Sequence, residues 1–170
     1  MLSNSLYRYA IITASDRGAY GEREDESGQM IRDIVGERGF QLEAYYLLPD
    51  EKNLLSETMR QLCDKGDAVD LILTTGGTGF SARDCMPEAT MAIADRNVPG
   101  IAEAMRFHGM QFTRRAMLSR AVSVIRKQTL IINLPGSPKA VGENLLFIID
   151  DLAHGIAILR GTTGNCARLS

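Results

Sequence analysis

Thr74-Thr75-Gly76-Gly77-Thr78-Gly79 follows directly on an apolar run and is the chain's clearest chemical feature. Glycines lack a Cβ, so successive backbone N–H groups can turn toward an anion. Thr75, Thr78 and Ser81 add hydroxyl donors. A helix opening near Pro87 points its positive end the same way. The segment suits phosphate, although a tight turn without a ligand uses the same residues. The pattern G-x-x-x-x-G-K-[ST] is absent. Gly77, Gly79 and Ala82 do fit G-x-G-x-x-A, but Arg83 to Met86 intervene before the helix, so that match reads as chance.

Asp50 and Asp84 each stand just past a strand-end turn. Magnesium takes one or two carboxylates together with substrate phosphates, so this pair beside a phosphate loop suits Mg-ATP. Asp50 also precedes a helix, and on residue type alone its first reading is an N-cap. Asp84 lies three residues ahead of Pro87, a less natural cap, and stays open between ligand and surface acid. Arg120 and Lys139 could pair with phosphate oxygens, with Ser119 beside them. Pro135-Gly136-Ser137-Pro138 is either one wall of a base pocket or a plain connection. His108 and His154 have neither an i+4 partner nor nearby cysteines, which argues against zinc.

The elements that must carry these loops alternate between strand and helix. Tyr9 to Thr13, Phe40 to Leu48 and Asp70 to Thr75 read as strands, the last almost wholly apolar and therefore covered on both faces. Ser27 to Arg38 repeats Met30, Ile31, Ile34 and Val35 on one helical face. The helix after Pro49 places Leu54, Leu55, Thr58, Met59, Leu62 and Cys63 inward. Pro99-Gly100 opens another helix, Ala121 to Ile125 and Thr129 to Asn133 are β-rich, and Val141 to Leu159 carries a long apolar stripe. Arg17 to Asp25 reads as a mobile loop. This alternation predicts a three-layer α/β fold with a mostly parallel sheet, its strand-end loops gathered at one edge.

The 170 residues are 45% hydrophobic, which predicts one domain over 1–170. With 19 basic and 21 acidic side chains and no basic stripe, no nucleic-acid partner is expected. No apolar stretch reaches the roughly 20 residues of a membrane span, and Met1 to Arg8 shows no signal peptide. Cys63, Cys85 and Cys166 form no disulfide or zinc pattern, which fits a reducing cytoplasm.

Several segments, in their order and spacing, resemble the molybdopterin-binding family that includes MogA, MoaB and the N-terminal domain of gephyrin. They are Thr13-Ala14-Ser15-Asp16, Asp25-Glu26-Ser27-Gly28, Leu48-Pro49-Asp50-Glu51, Leu73 to Gly79, Arg83-Asp84, Pro87-Glu88-Ala89-Thr90, Met117-Leu118-Ser119-Arg120 and Asn133 to Pro138. The similarity runs from about Ala10 to Gly161. It implies a three-layer α/β/α sandwich, a homotrimer, and adenylyl transfer from Mg-ATP to molybdopterin in molybdenum cofactor biosynthesis. It also implies that Asp50 and Asp84 are the essential acids and act on magnesium through the substrate, which reverses the cap reading of Asp50. Thr75, Gly76, Gly77, Thr78 and Gly79 would then hold nucleotide phosphates, and Pro135, Gly136 and Pro138 would border the adenine. Asp16, Ser27, Ser119 and Arg120 belong with molybdopterin binding. A downstream molybdenum-insertion enzyme is an expected recipient of the product. One departure stands out: the family usually has threonine where this chain has Met86, and a threonine there could cap the helix and donate to phosphate. The competing readings are a MoaB-like paralogue acting as a non-catalytic pterin carrier or trimeric scaffold, and a nucleotide hydrolase on a related fold.

Overall fold

A computed structural model describes residues 7–162; Cys166 lies outside them. In chain order the strands are β1 (Arg8–Ala14), β2 (Gln41–Leu48), β3 (Leu71–Thr75), β4 (Arg96–Asn97), β5 (Ser123–Arg126) and β6 (Thr129–Leu134). The helices are α1 (Asp16–Ala19), α2 (Glu26–Glu37), α3 (Lys52–Asp64), α4 (Met86–Met91), α5 (Pro99–Gly109) and α6 (Pro138–Leu159), with a 3-10 turn over Arg114–Leu118.

The six strands form one sheet in the order β2-β1-β3-β6-β5-β4. β2, β1, β3 and β6 run parallel, while β5 and β4 are antiparallel to their neighbours. Successive side chains of a strand point to opposite faces. Tyr9, Ile11, Leu71, Leu73 and Ile132 accordingly pack under α2, α5 and α6. Ala10, Ile12, Ile72 and Ile131 pack under α3 and α4. Both faces are covered, which explains why β3 is apolar at every position rather than alternating. The expected α/β/α sandwich with a mostly parallel sheet is what the chain forms.

Register fixes where the loops emerge. Ala14 lies opposite Leu48, Thr13 opposite Thr75, and Thr75 opposite Leu134. The loops after β1, β2, β3 and β6 therefore leave the same edge, as expected. The chain winds from β1 outward to β2 and then returns past β1 to β3, so the edge between β1 and β3 is a topological switch point where a ligand crevice opens.

Three local expectations differ from the structure. Ser15 caps a helical turn by accepting from Gly18 N at 3.0 Å, so part of the segment read as a mobile loop is α1. β4, only two residues long, lacks a periodicity signal and was not expected. Leu54 and Met30 are exposed because α3 and α2 meet the sheet through Leu55, Met59 and Leu62 and through Ile31, Ile34 and Val35.

Candidate active site

The glycine segment after β3 takes its shape from two left-handed residues, Gly76 at φ 87° and Gly77 at φ 65°. A Cβ on Gly76 would overlap the Ala14 carbonyl oxygen, so only glycine lets this turn press against the end of β1. Gly77 and Gly79 each face an acid. A Cβ on Gly77 would come 3.0 Å from Asp50 Oδ1, and one on Gly79 would come 2.9 Å from Asp84 Oδ2. The bare backbone of the loop thus lies between the two carboxylates.

Asp50 does not cap α3. Glu51 holds the N-cap position and makes no side-chain cap bond. The Asp50 carboxylate instead accepts from Asp16 N at 3.1 Å through Oδ2, while Asp50 N donates to Asp16 Oδ1 at 3.0 Å. Its other oxygen, Oδ1, is buried without a hydrogen-bond partner. Burial pushes the Asp50 carboxyl above the usual aspartate range; the Asp16 N–H opposes this, and the charges of Asp16 and Asp84 add to it. Asp84 accepts from Ser81 N at 2.9 Å. An orphaned, half-buried carboxylate next to a second acid and a glycine loop fits a cation shared with substrate oxygens. Among the described residues, no three His, Cys, Asp or Glu side chains converge as a metal cage.

Asp16 sits with these acids and not in the wall of either neighbouring cavity. Arg83 clamps it, donating from Nε to Oδ2 at 2.9 Å and from Nη2 to Oδ1 at 2.8 Å. That guanidinium, with help from the Asp50 N–H, holds the Asp16 carboxyl below its ordinary range.

Other expected donors turn out to be committed to the protein. Thr75 is fully buried and donates its hydroxyl to the Pro135 carbonyl at 2.6 Å, because β3 and β6 are register neighbours. Ser27 donates to the Gly136 carbonyl at 2.8 Å. Arg120 holds the glycine loop: its N–H donates to Thr78 O at 2.9 Å, Nε to Gly79 O at 2.7 Å, and Nη2 to Asp84 O at 2.9 Å, and it also pairs with Glu88. These side chains shape the loops that would meet a ligand. Lys139 is exposed beside Glu143. Asn133, which the sequence offered only as part of a resembling segment, has a role the sequence did not show. Fully buried, it donates to Thr74 Oγ1 and Thr90 Oγ1 at 2.9 Å each, tying β3, β6 and α4 together. Nothing in its local sequence separates it from an ordinary strand-end asparagine.

Two cavities open on either side of the loop. One, of about 160 Å³, is polar and is walled by Ser15, Asp25, Ser27, Gly76, Gly136 and Pro138. The other, of about 280 Å³, is mostly apolar; Met105, Ala116, Leu118 and Pro135 form its wall with Ser119 and Thr78. Ser27 and Ser119, grouped together from the sequence, fall on opposite sides.

The chain matches the family described as "Probable molybdopterin binding domain" over residues 10–154. It belongs to that family. Within the family it is similar to the molybdopterin adenylyltransferase of Haemophilus influenzae, 41% identical over 92% of this chain and 79% of that one. The molybdopterin adenylyltransferase of Escherichia coli K12 is 40% identical over 91% and 78%. Among solved structures, the molybdopterin biosynthesis enzyme MoaB from Thermus thermophilus superposes with a TM-score of 0.86 at 44% identity, covering 92% of this chain and 98% of that one. The Mog protein from Mycobacterium ulcerans gives 0.83 at 38%, covering 90% and 99%. The matched span of this molybdopterin-binding family member includes every loop of the site.

Met86, the departure from the family pattern, is not at the cap. Cys85 occupies the N-cap of α4, and Met86 is the first helical residue, fully buried in the core under that face. Its N–H donates to Gly77 O at 3.1 Å. The concern about lost capping therefore does not apply, and the side chain packs beneath the glycine loop instead.

Proposed function

We propose that this chain is a molybdopterin adenylyltransferase of molybdenum cofactor biosynthesis, transferring AMP from Mg-ATP to the molybdopterin phosphate with release of pyrophosphate. The observation that carries this reading is the glycine loop held between Asp50 and Asp84, with a cavity on each side: one loop, two acids and two neighbouring cavities. The similarity to named adenylyltransferases supports it.

The polar cavity suits adenosine, because the Ser15 hydroxyl, which accepts from Gly18 N, keeps a proton to donate to a ribose or base acceptor, and Gly136 and Pro138 form part of the wall; the Asp25 oxygens already accept from Gly28 N and the Tyr45 hydroxyl. The larger apolar cavity with Ser119 suits the pterin. Bound between them, the molybdopterin phosphate lies in line with the α-phosphorus of ATP; its oxygen attacks, the bond to the pyrophosphate breaks, and pyrophosphate leaves. A phosphate monoester has a second pKa of about 6, so the nucleophile is already ionised at neutral pH and no general base is required. The protein's work is positioning two anions and offsetting their charge. Backbone N–H groups of Gly76 to Gly79 face the phosphates, and Asp50 and Asp84 would hold magnesium with substrate oxygens. Magnesium, when bound, supplies neutralisation of the phosphate charge that develops during transfer.

We also propose a homotrimer that works in the cytoplasm, with a downstream molybdenum-insertion enzyme receiving the product. Exposed Phe107, Phe112 and Phe147 on and around α5 and α6 offer an apolar face for subunit contact. Among the described residues, no helix is long and apolar enough to cross a membrane.

The test is pyrophosphate release from Mg-ATP with and without molybdopterin, comparing the native chain with Asp84→Asn. Release that requires both pterin and Asp84, with pterin affinity kept in the variant, is the expected result. Tight pterin binding with no release would leave a carrier; release without any pterin acceptor would point to a hydrolase.

A further inference from the structure

We propose that Arg83 is the charge screen of this site: by clamping Asp16 it offsets one of three neighbouring carboxylates and occupies its oxygens, so that a polyphosphate can approach Asp50 and Asp84. The identity of that polyphosphate as ATP rests on the adenylyltransferase reading; the screening itself rests on the geometry.

Asp16, Asp50 and Asp84 lie around one glycine loop, and three carboxylates would repel a triphosphate at this range. Arg83 is paired with one of them, Asp16. Arg120 is not, because its guanidinium faces the carbonyls of Gly79 and Asp84 and the carboxylate of Glu88. Arg83 meets Asp16 with two parallel N–H bonds, and Asp16 Oδ1 also accepts from Asp50 N. Both Asp16 oxygens are thereby engaged, whereas Asp50 Oδ1 has no partner. The arrangement separates the acids by role: Asp16 is paired and held, and Asp50 is left available.

A purely structural ion pair would have a different setting. The Arg83 and Asp16 side chains are 58% and 34% exposed; Asp16 is already held by its reciprocal bonds with Asp50, and the Arg83 segment by Asp84 N on Ser81 O and by Arg120 on the Asp84 carbonyl. Exposed pairs add little to stability, so loss of this one should barely register on heating. The Arg83 charge, set against Asp16 and so one residue removed from the Asp50 carboxylate, should register strongly in the binding of a polyanion.

The experiment is calorimetric titration of ATP, and separately of inorganic tripolyphosphate, into the native chain, Arg83→Gln, Asp16→Asn and the double variant. Each titration is run in EDTA and again in magnesium, with a melting curve for each protein. Arg83→Gln is expected to weaken both ligands by about ten- to a hundredfold in EDTA and by less in magnesium, where the added cation replaces part of the lost charge. The double variant should return to within about threefold of native, because the carboxylate that Arg83 screened is gone, and all melting temperatures should agree within about 2 °C. A double variant that binds as weakly as Arg83→Gln would overturn the proposal and make Arg83 a direct phosphate contact. Native-like binding by Arg83→Gln, or a loss that tracks a large fall in melting temperature, would overturn it as well. If tripolyphosphate follows the expected pattern but ATP does not bind, the screen stands and the nucleotide reading falls. If the native chain binds neither, both fall.

Discussion

Asp16 and Asp50, 34 residues apart, each donate a backbone N–H to the other's carboxylate, at 3.1 and 3.0 Å. This reciprocal pair locks the loop after β1 to the loop after β2 and turns the remaining Asp50 oxygen toward the glycine loop. Asp50→Asn keeps an acceptor for the Asp16 N–H and removes a charge that burial disfavours. Its melting temperature should equal or slightly exceed that of the native chain. Pyrophosphate release should fall by about a hundredfold or more, the scale of losing one electrostatic contact to a transition state. A parallel loss of stability and turnover would mean that Asp50 is structural.

Gly76→Ala should be among the most damaging single-methyl additions. The φ of 87° alone costs about 1–3 kcal/mol for an L side chain, and the overlap with the Ala14 carbonyl adds to it. A fall of at least about 5 °C in melting temperature is expected. Gly36→Ala, in α2 with open space around the new methyl, is the matched control and should stabilise by about 0.5–1 kcal/mol. Equal effects at the two sites would contradict the geometry of the loop.

Met86→Thr restores the residue usual in the family, yet here it should destabilise. The side chain is fully buried, and truncating it leaves a cavity and a buried hydroxyl, costing about 2 kcal/mol or more. Since Cys85 holds the cap position, no compensating cap bond is gained. Thermal melting is sufficient to check this; a higher melting temperature would place the cap of α4 at residue 86 instead of Cys85.

The Arg126 guanidinium and Lys127 hold the Asp64 carboxyl at about 2, below its ordinary 3.8. A carboxylate depressed in the folded state contributes stability above its unfolded value and loses it as pH falls through the folded value. Native stability should therefore decline between about pH 4 and pH 2 more steeply than that of Asp64→Asn. Near pH 2 the two should converge. Denaturant melts across that range test it; parallel curves would mean that the pair contributes nothing.

Much of this molecule is local and so was legible in the sequence. The 3.6-residue period located the main helices and short β-rich runs located the main strands, the unbroken apolar run of β3 signalled a sheet covered on both faces, and the glycines marked a backbone open to an anion. Burial period and backbone freedom are properties of short segments, so a linear reading recovers them. Partnership is not a local property. Residue type alone made Asp50 a helix cap; the register of β1 against β2 made it the partner of Asp16. Thr75 and Arg120 carry groups that suit phosphate, and only the packing of β6 and of the loop after β3 shows those groups already bonded to protein carbonyls. Ser27 and Ser119 looked like one group until the glycine loop was seen to divide two cavities. The sequence determined which chemical groups this protein has and which segments carry them. The tertiary structure decided which groups face one another, because hydrogen-bond partners and charge neighbours are set by sheet register across dozens of residues.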